Sequence, residues 1–316
     1  MSGFEENEIS KNAKGGTELS KLLLKEYLNP ELLDNFQIVA SRFREFSPDK
    51  LRIYYAHDLA DDPESKIITD PRWHAKIFVS RWQLEDFVNK LGIKRDTSTY
   101  VIPNPIVPIP AHNKKFVDNK IRLIYFSTPH RGLELLVPVF NEIYKTNKNI
   151  HLDVYSSFKL YGFDRADEPF QPLFDQIKSH PGMTYHGAVD NSVIRLALEQ
   201  AHILAYPCIW KETQCRVLAE SMSAGLLCVH PDLAALKETS LNSTALMYRY
   251  MDDPHDHVQE FYSALQIAIN TVMDENTQNH LINYKNNINM IYGIDTIGAI
   301  WNIVLERILN QTKKVL

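Results

Sequence analysis

The sequence predicts an α/β protein built on parallel sheets, and three observations predict it. Short β-branched or aromatic runs alternate with longer amphipathic segments through most of the chain, which is the pattern of parallel strands covered by helices. A proline-rich stretch interrupts that alternation and divides it into two series. With 44% hydrophobic residues over 316 positions, the chain can bury a core in each.

In the first series, "TELSKLLLKEYL" and "RWQLEDFVNKLG" read as helices because their apolar residues recur at i, i+3 and i+4. "FQIVAS", "RIYYAH", "KIFVS" and "TYVIPN" read as strands. Nothing before Lys14 reads as a strand, so this half looks shortened at its first element. Residues 104–113, "NPIVPIPAHN", carry Pro105, Pro108 and Pro110 and can continue neither a helix nor a central strand, so they read as an interdomain linker. The second series runs "IRLIYFS", "LELLVPVFNEIYKT", "HLDVYSS", "MTYHG", "VIRLALEQA", "HILAYP", "CRVLAESMSAG", "LLCVHP", "ALMYRY" and a long helix near "HVQEFYSALQIAINTVMDE". From about Ile288 the pattern is helical again. The expected division is a Rossmann-like domain over 1–105, a larger one over 106–287, and a carboxyl-terminal helix over 288–316 that can cross back to the first.

Composition narrows the function classes. A net charge of -5 and a pI near 6.2 argue against a dedicated nucleic-acid binder and favour a small-molecule ligand. Cys208, Cys215 and Cys228 are odd in number and show no CxxC spacing, as expected of reduced thiols in a cytoplasmic protein. The start, "MSGFEENEISKNAKGG", lacks the basic and apolar regions of a secretory signal, so the sequons at Asn242 and Asn310 have no use. No apolar run approaches a membrane span. The pairs Asp61-Asp62 and Asp252-Asp253 adjoin Pro63 and Pro254 and read as solvated turns. "HDH" at 255–257 lacks a third ligand at helical spacing and reads as a surface cluster. No metal site or cofactor is expected. There is no GxSxG, no P-loop, and no GxGxxG after a strand.

The stretch "WKETQCRVLAESMSAGLLCVHPD" places Glu212 in the loop after a strand and Glu220 inside the next helix, which ends at Gly225. Loops just past the carboxyl ends of parallel strands form the ligand crevice of open α/β sheets. A buried carboxylate there suits a vicinal diol, which can donate two hydrogen bonds to it. On residue types alone, a solvated loop Glu and a helix-surface Glu remain the alternative. Glu220, however, sits among Leu218, Ala219, Met222 and Ala224, where a carboxylate needs a reason. "FSTPHRGLELL" reads as an anion site: Ser127 or Thr128 as N-cap, Pro129 at the first helical position, and Arg131 adding a forked charge. Gly15 and Gly16 open the first helix, and His57 closes a strand; a flexible cap and a structural histidine are the plain alternatives.

Taken together, Glu212, seven residues, Glu220, "SMSAG" and "LLCVHP" resemble the donor-site signature of retaining glycosyltransferases of family 4, the glycosyl transferases group 1. The resemblance extends over nearly the whole chain from Gly15 and is strongest between Ser127 and Asp232. It implies a GT-B fold of two facing Rossmann-like domains with an interdomain cleft. It also implies transfer of a hexose from a nucleotide-diphosphate sugar to an acceptor hydroxyl, with retention and without a metal. By resemblance Glu212 and His57 meet the transferred sugar, Glu220 binds the nucleotide ribose, Arg131 followed by Gly132 holds the diphosphate, and the Gly15-Gly16 loop approaches it; the anion site at Ser127 and the adjacent His130 are expected to add to diphosphate binding. Ser80, Pro103 and Asn104 match scaffold positions. Two departures stand out: "TQC" follows Glu212 where a Ser-Phe-Gly-like loop is usual, and Tyr125 and Phe126 occupy the region of a second basic residue. The implied acceptor is a glycan, a lipid-linked or a protein-bound one, the lipid case allowing peripheral membrane contact. An epimerase-like enzyme, a phosphorylase-like enzyme and a non-catalytic nucleotide-sugar binder are the competing readings.

Overall fold

The alternation of strands and helices resolves into two all-parallel sheets, one in each of two compact units. The computed structural model describes residues 3–4, 15–40, 42–109, 114–242 and 246–313. One unit comprises the chain to Val107 together with Met290 onward, and the other runs from Pro108 to Asn289. Residues 110–113 of the proline-rich stretch lie outside the described residues.

In the first unit β1 (Phe36–Ala40), β2 (Leu51–Ala56), β3 (Ala75–Phe78) and β4 (Thr99–Val101) lie in sequence order. Every described pairing is parallel. All five residues of β1 are buried, as a strand covered on both faces requires. No strand precedes β1 among the described residues, but one isolated bridge does. Gly3 and Phe4 precede Lys14, yet Phe4 bridges Ile38 in parallel and the Ile38 N–H donates to the Gly3 carbonyl at 2.6 Å. A single bridge is too short for any periodicity to reveal, and residues 5–14 lie outside the described residues.

Helix Ile294–Lys313 completes this core with Ile297, Trp301, Leu305 and Ile308 against Leu24, Ile38, Ile53 and Ile77. Trp301 meets the ring of Tyr55 at 4.9 Å. Gly298 is required by close approach, since a Cβ there would stand 2.1 Å from the Tyr27 ring. The helix is separated from its predecessor, Glu275–Tyr292, because Ile106 inserts between them, accepting from Ile294 N–H at 3.0 Å and donating to the Tyr292 carbonyl at 2.8 Å. Ser80 caps helix Arg81–Leu91, accepting from Gln83 N–H, as its match to a scaffold position implies.

The second unit holds β5 (Ile121–Tyr125), β6 (Ile150–Val154), β7 (Met183–Tyr185), β8 (Ile203–Ala205), β9 (Leu227–Pro231) and β10 (Met247–Tyr248). Their order across the sheet is β10-β9-β8-β5-β6-β7. The chain therefore lays β6 and β7 on one side of β5, then returns to lay β8, β9 and β10 on the other. This is the Rossmann order, and its topological switch point falls between β5 and β8. Helices Leu133–Thr146 and Pro254–Thr271 bury Leu136, Val137 and Phe140, and Phe261, Leu265 and Ala268. Three further elements, the 3-10 turns Phe158–Tyr161 and Asp164–Phe170 and helix Gln171–Ser179, escape the sequence pattern because prolines and charged residues interrupt their apolar spacing.

Candidate active site

In an open parallel sheet the two loops that leave a switch point diverge and leave a crevice between them. Here those loops are Phe126–Gly132, after β5, and Tyr206–Cys215, after β8. They hold Ser127, His130, Arg131 and Glu212, which the structure brings together.

Arg131 Nη1 donates to Glu212 Oε1 at 2.7 Å, with only 21% and 9% of the two side chains exposed. The same oxygen accepts from the Tyr206 hydroxyl at 2.9 Å, and Tyr206 lies 3.5 Å from Ser127 Oγ. Burial opposes the charge on Arg131, but the adjacent Glu212 carboxylate outweighs it and the guanidinium stays firmly protonated. Burial likewise holds Tyr206 in its protonated, donating form. Arg131 Nε is buried without a hydrogen-bond partner among the described residues, so this side chain retains a donor beyond its ion pair.

A glycine locks the two loops together. Gly132 has φ +116, and a Cβ there would lie 2.1 Å from the Pro207 carbonyl oxygen. Only glycine allows both the left-handed backbone and that contact. The same residue delays the α-helix beyond the expected start at Thr128 and Pro129. Thr128 opens a 3-10 turn, Pro129–Arg131, with no side-chain cap bond, and the α-helix begins at Leu133 after Gly132. Ser127 therefore caps nothing; its hydroxyl belongs to the Tyr206 and Glu212 network.

His130 stacks on Phe158 with centroids 5.1 Å apart and planes at 15°, and meets Trp210 edge-on at 5.0 Å. Burial, reinforced by Arg131, lowers its pKa to about 4. At neutral pH it can offer a hydrogen bond but no charge.

Glu220 lies in helix Arg216–Ser223 and is buried. Its Oε1 accepts from Arg216 Nη2 at 2.6 Å, an i, i+4 pairing that the sequence spacing already contained. The helix stops in a Schellman motif: Gly225 adopts φ 75, Gly225 N–H donates to Met222 at 2.9 Å, and Leu226 N–H to Ser221 at 3.0 Å. That stop returns the chain into β9.

His57, Gly15 and Gly16 belong to the other unit. His57 follows the carboxyl end of β2, is 9% exposed, and meets the ring of Tyr55 edge-on at 4.2 Å. The Tyr55 hydroxyl donates to Asn104 Oδ1 at 2.8 Å. Gly15 precedes helix Gly16–Tyr27 with φ -75, a backbone any residue adopts. "HDH" divides: His257 is buried against Tyr248, while exposed His255 and Asp256 join Asp253, the one group of potential metal ligands among the described residues. Asp253 is already the helix cap for His255 and Asp256 N–H. Tyr206, Arg216, Phe158 and Trp210 are the site residues that sequence reasoning missed. Only Arg216 had a readable signal.

Residues 121–271 match the family model described as glycosyl transferases group 1. No curated protein matches the chain in sequence. Among solved structures, a glycosyltransferase from Rickettsia africae superposes with a TM-score of 0.64 at 14% identity, covering 96% of this chain and 84% of that one. Sucrose-phosphate synthase from Thermosynechococcus elongatus gives 0.67 at 13%, covering 93% and 80%. HepE from Anabaena in complex with UDP-glucose gives 0.63 at 13%, covering 94% and 82%. The two parallel sheets and these neighbours define a GT-B fold. The stretch that matches the glycosyl transferases group 1 model, residues 121–271, is the one that holds the Arg131–Glu212 crevice.

Proposed function

We propose that this glycosyltransferase moves a hexose from a nucleotide-diphosphate sugar to an acceptor hydroxyl, with retention at the anomeric carbon and without a metal ion. The observation that carries the reading is the buried Arg131–Glu212 pair at the switch point of the second sheet. It sets a fixed guanidinium and a carboxylate side by side, the one complementary to a diphosphate and the other to sugar hydroxyls. Arg131 and the N–H donors of the Ser127–Gly132 turn receive the diphosphate, with His130 as a neutral donor. Glu220 accepts from the ribose hydroxyls and Glu212 from the transferred sugar. His57, with Gly15 and Gly16, is assigned to sugar and diphosphate by resemblance.

Retention follows from the same resemblance. The protein contributes orientation and stabilisation of the departing diphosphate, which itself helps take the acceptor proton. The donor is the only small molecule required. The acceptor is a glycan, lipid-linked or protein-bound; no helix among the described residues is long and apolar enough to cross a membrane. A cytoplasmic setting with peripheral membrane contact accords with three buried free thiols.

A thermal-shift panel of UDP-, GDP-, dTDP- and ADP-glucose, each with a divalent cation or a chelator, tests the donor. One nucleotide should stabilise the protein regardless of chelator, and Glu220→Ala should weaken it. NMR of the product's anomeric centre then tests retention. Free epimer in place of glycoside would select the epimerase reading, and binding without turnover the non-catalytic one.

A further inference from the structure

We propose that Trp210 is a specificity-determining residue whose indole stacks on the pyranose ring of the donor; this rests on the donor reading above. Trp210 is 44% exposed, as is its neighbour Ile209 at 45%, and they share the exposed stretch with Lys211, while Cys208, Glu212, Gln214 and Cys215 of the same loop are buried. Two adjacent large apolar side chains left open on the loop that carries Glu212 form a small exposed apolar patch at the crevice, of the kind a ligand can cover.

Its position is fixed rather than free. The ring meets His130 edge-on at 5.0 Å, and His130 is itself stacked on Phe158. Phe158 is held by Asp167, which is buried and accepts from the Phe158 N–H at 2.7 Å and from the Ser157 hydroxyl. The result is an aromatic wall of Phe158, His130 and Trp210 running beside Arg131. Burial keeps the middle ring neutral, so the wall presents apolar surface at the place where charge ends.

Sugars are recognised by a combination of carboxylate and aromatic face. Their hydroxyls donate to the former, and their C–H-rich ring faces pack on the latter. Trp210 is two residues before Glu212 and one ring from the neighbour of Arg131, at the diphosphate and sugar end of the crevice. Glu220, assigned to ribose, is a helix turn farther along and pairs with Arg216 instead.

The test compares Kd by calorimetry for matched ligands, UDP with UDP-glucose and likewise the GDP, ADP and dTDP pairs, on wild type, Trp210→Ala and Trp210→Phe. The expected result is a loss of about tenfold in affinity for the nucleotide sugar in Trp210→Ala, the scale of one aromatic contact. Free nucleotide should change less than about twofold, and Trp210→Phe should recover most of the loss. An equal loss for both ligands would place Trp210 on the base or in the scaffold and overturn the proposal, as would no loss for either. Wild type that binds a nucleotide but gains nothing from its glucose overturns the stacking alone; wild type that binds no member of the panel overturns the donor reading and this inference with it.

Discussion

The Arg131–Glu212 pair makes a quantitative demand on both stability and binding. Removing one partner of a buried pair leaves an uncompensated charge, which costs about 3–5 kcal/mol. Arg131 keeps 21% of its side chain in contact with solvent, so the lower end applies to Glu212→Gln, where the amide oxygen can still accept from Tyr206. At about 2–4 °C per kcal/mol for a domain of this size, a loss of about 3 kcal/mol lowers the transition of the second unit by about 6–12 °C. Arg131→Met should cost a similar amount, and the double variant little more than either single. The double-mutant cycle then gives a coupling of about 2 kcal/mol or more. Ligand affinity should move the other way in one case. Glu212→Gln leaves Arg131 as a charge without a counter-ion, so free nucleotide diphosphate should bind about tenfold more tightly even as sugar transfer is lost. Arg131→Met should weaken the same ligand. Additive single effects, with coupling under about 0.5 kcal/mol, would refute the pair; equal weakening of nucleotide binding in both variants would refute the electrostatic argument.

Gly132→Ala should disrupt the clasp between the two loops, because its Cβ would meet the Pro207 carbonyl at 2.1 Å; a loss of about 3 kcal/mol or more is expected, read as a lowered melting temperature together with lost nucleotide binding. Acid should destabilise the fold between about pH 6.5 and 4. Burial lowers His130, His202 and His230 to about 4 from an ordinary 6.5, so as pH falls through this window the unfolded chain takes up protons that the native state refuses. Denaturant titrations at pH 7, 5.5 and 4.5 should show stability falling stepwise; a flat profile would mean those imidazoles titrate normally in the fold. Burial also pushes the Cys208 thiol up to about 12 and raises Cys215 and Cys228 well above their ordinary value, so a thiol reagent at pH 8 should modify almost none of the native protein and all three cysteines after guanidinium.

The sequence by itself determined most of the strands and helices and the class of fold. Short apolar runs such as "FQIVA" and "LCVHP", alternating with longer amphipathic segments, read as covered strands, and the spacing of "RVLAESMSAG" fixes both the helix that buries Glu220 and the glycine that ends it. These signals are local, carried by periodicities of two and 3.6 residues and by single conformational requirements. The i, i+4 relation of Arg216 and Glu220 was local in the same way. What only the tertiary structure decided is everything that depends on strand order. Arg131 and Glu212 are 81 residues apart, and they meet because β8 returns to pair with β5. The Gly132 contact with Pro207 arises from the same pairing, the placing of Phe158 on His130 from the pairing of β5 with β6, and the Phe4 bridge to Ile38 from the sheet of the first unit. Ser127 and Thr128 both read as caps because cap preference is taken from neighbours in the chain; Thr128 opens the turn, whereas the Ser127 hydroxyl is placed beside Tyr206 by a strand that the sequence does not reach until Ile203. Pairing of distant strands is selected by how well whole faces bury one another, and no window along the chain contains that sum.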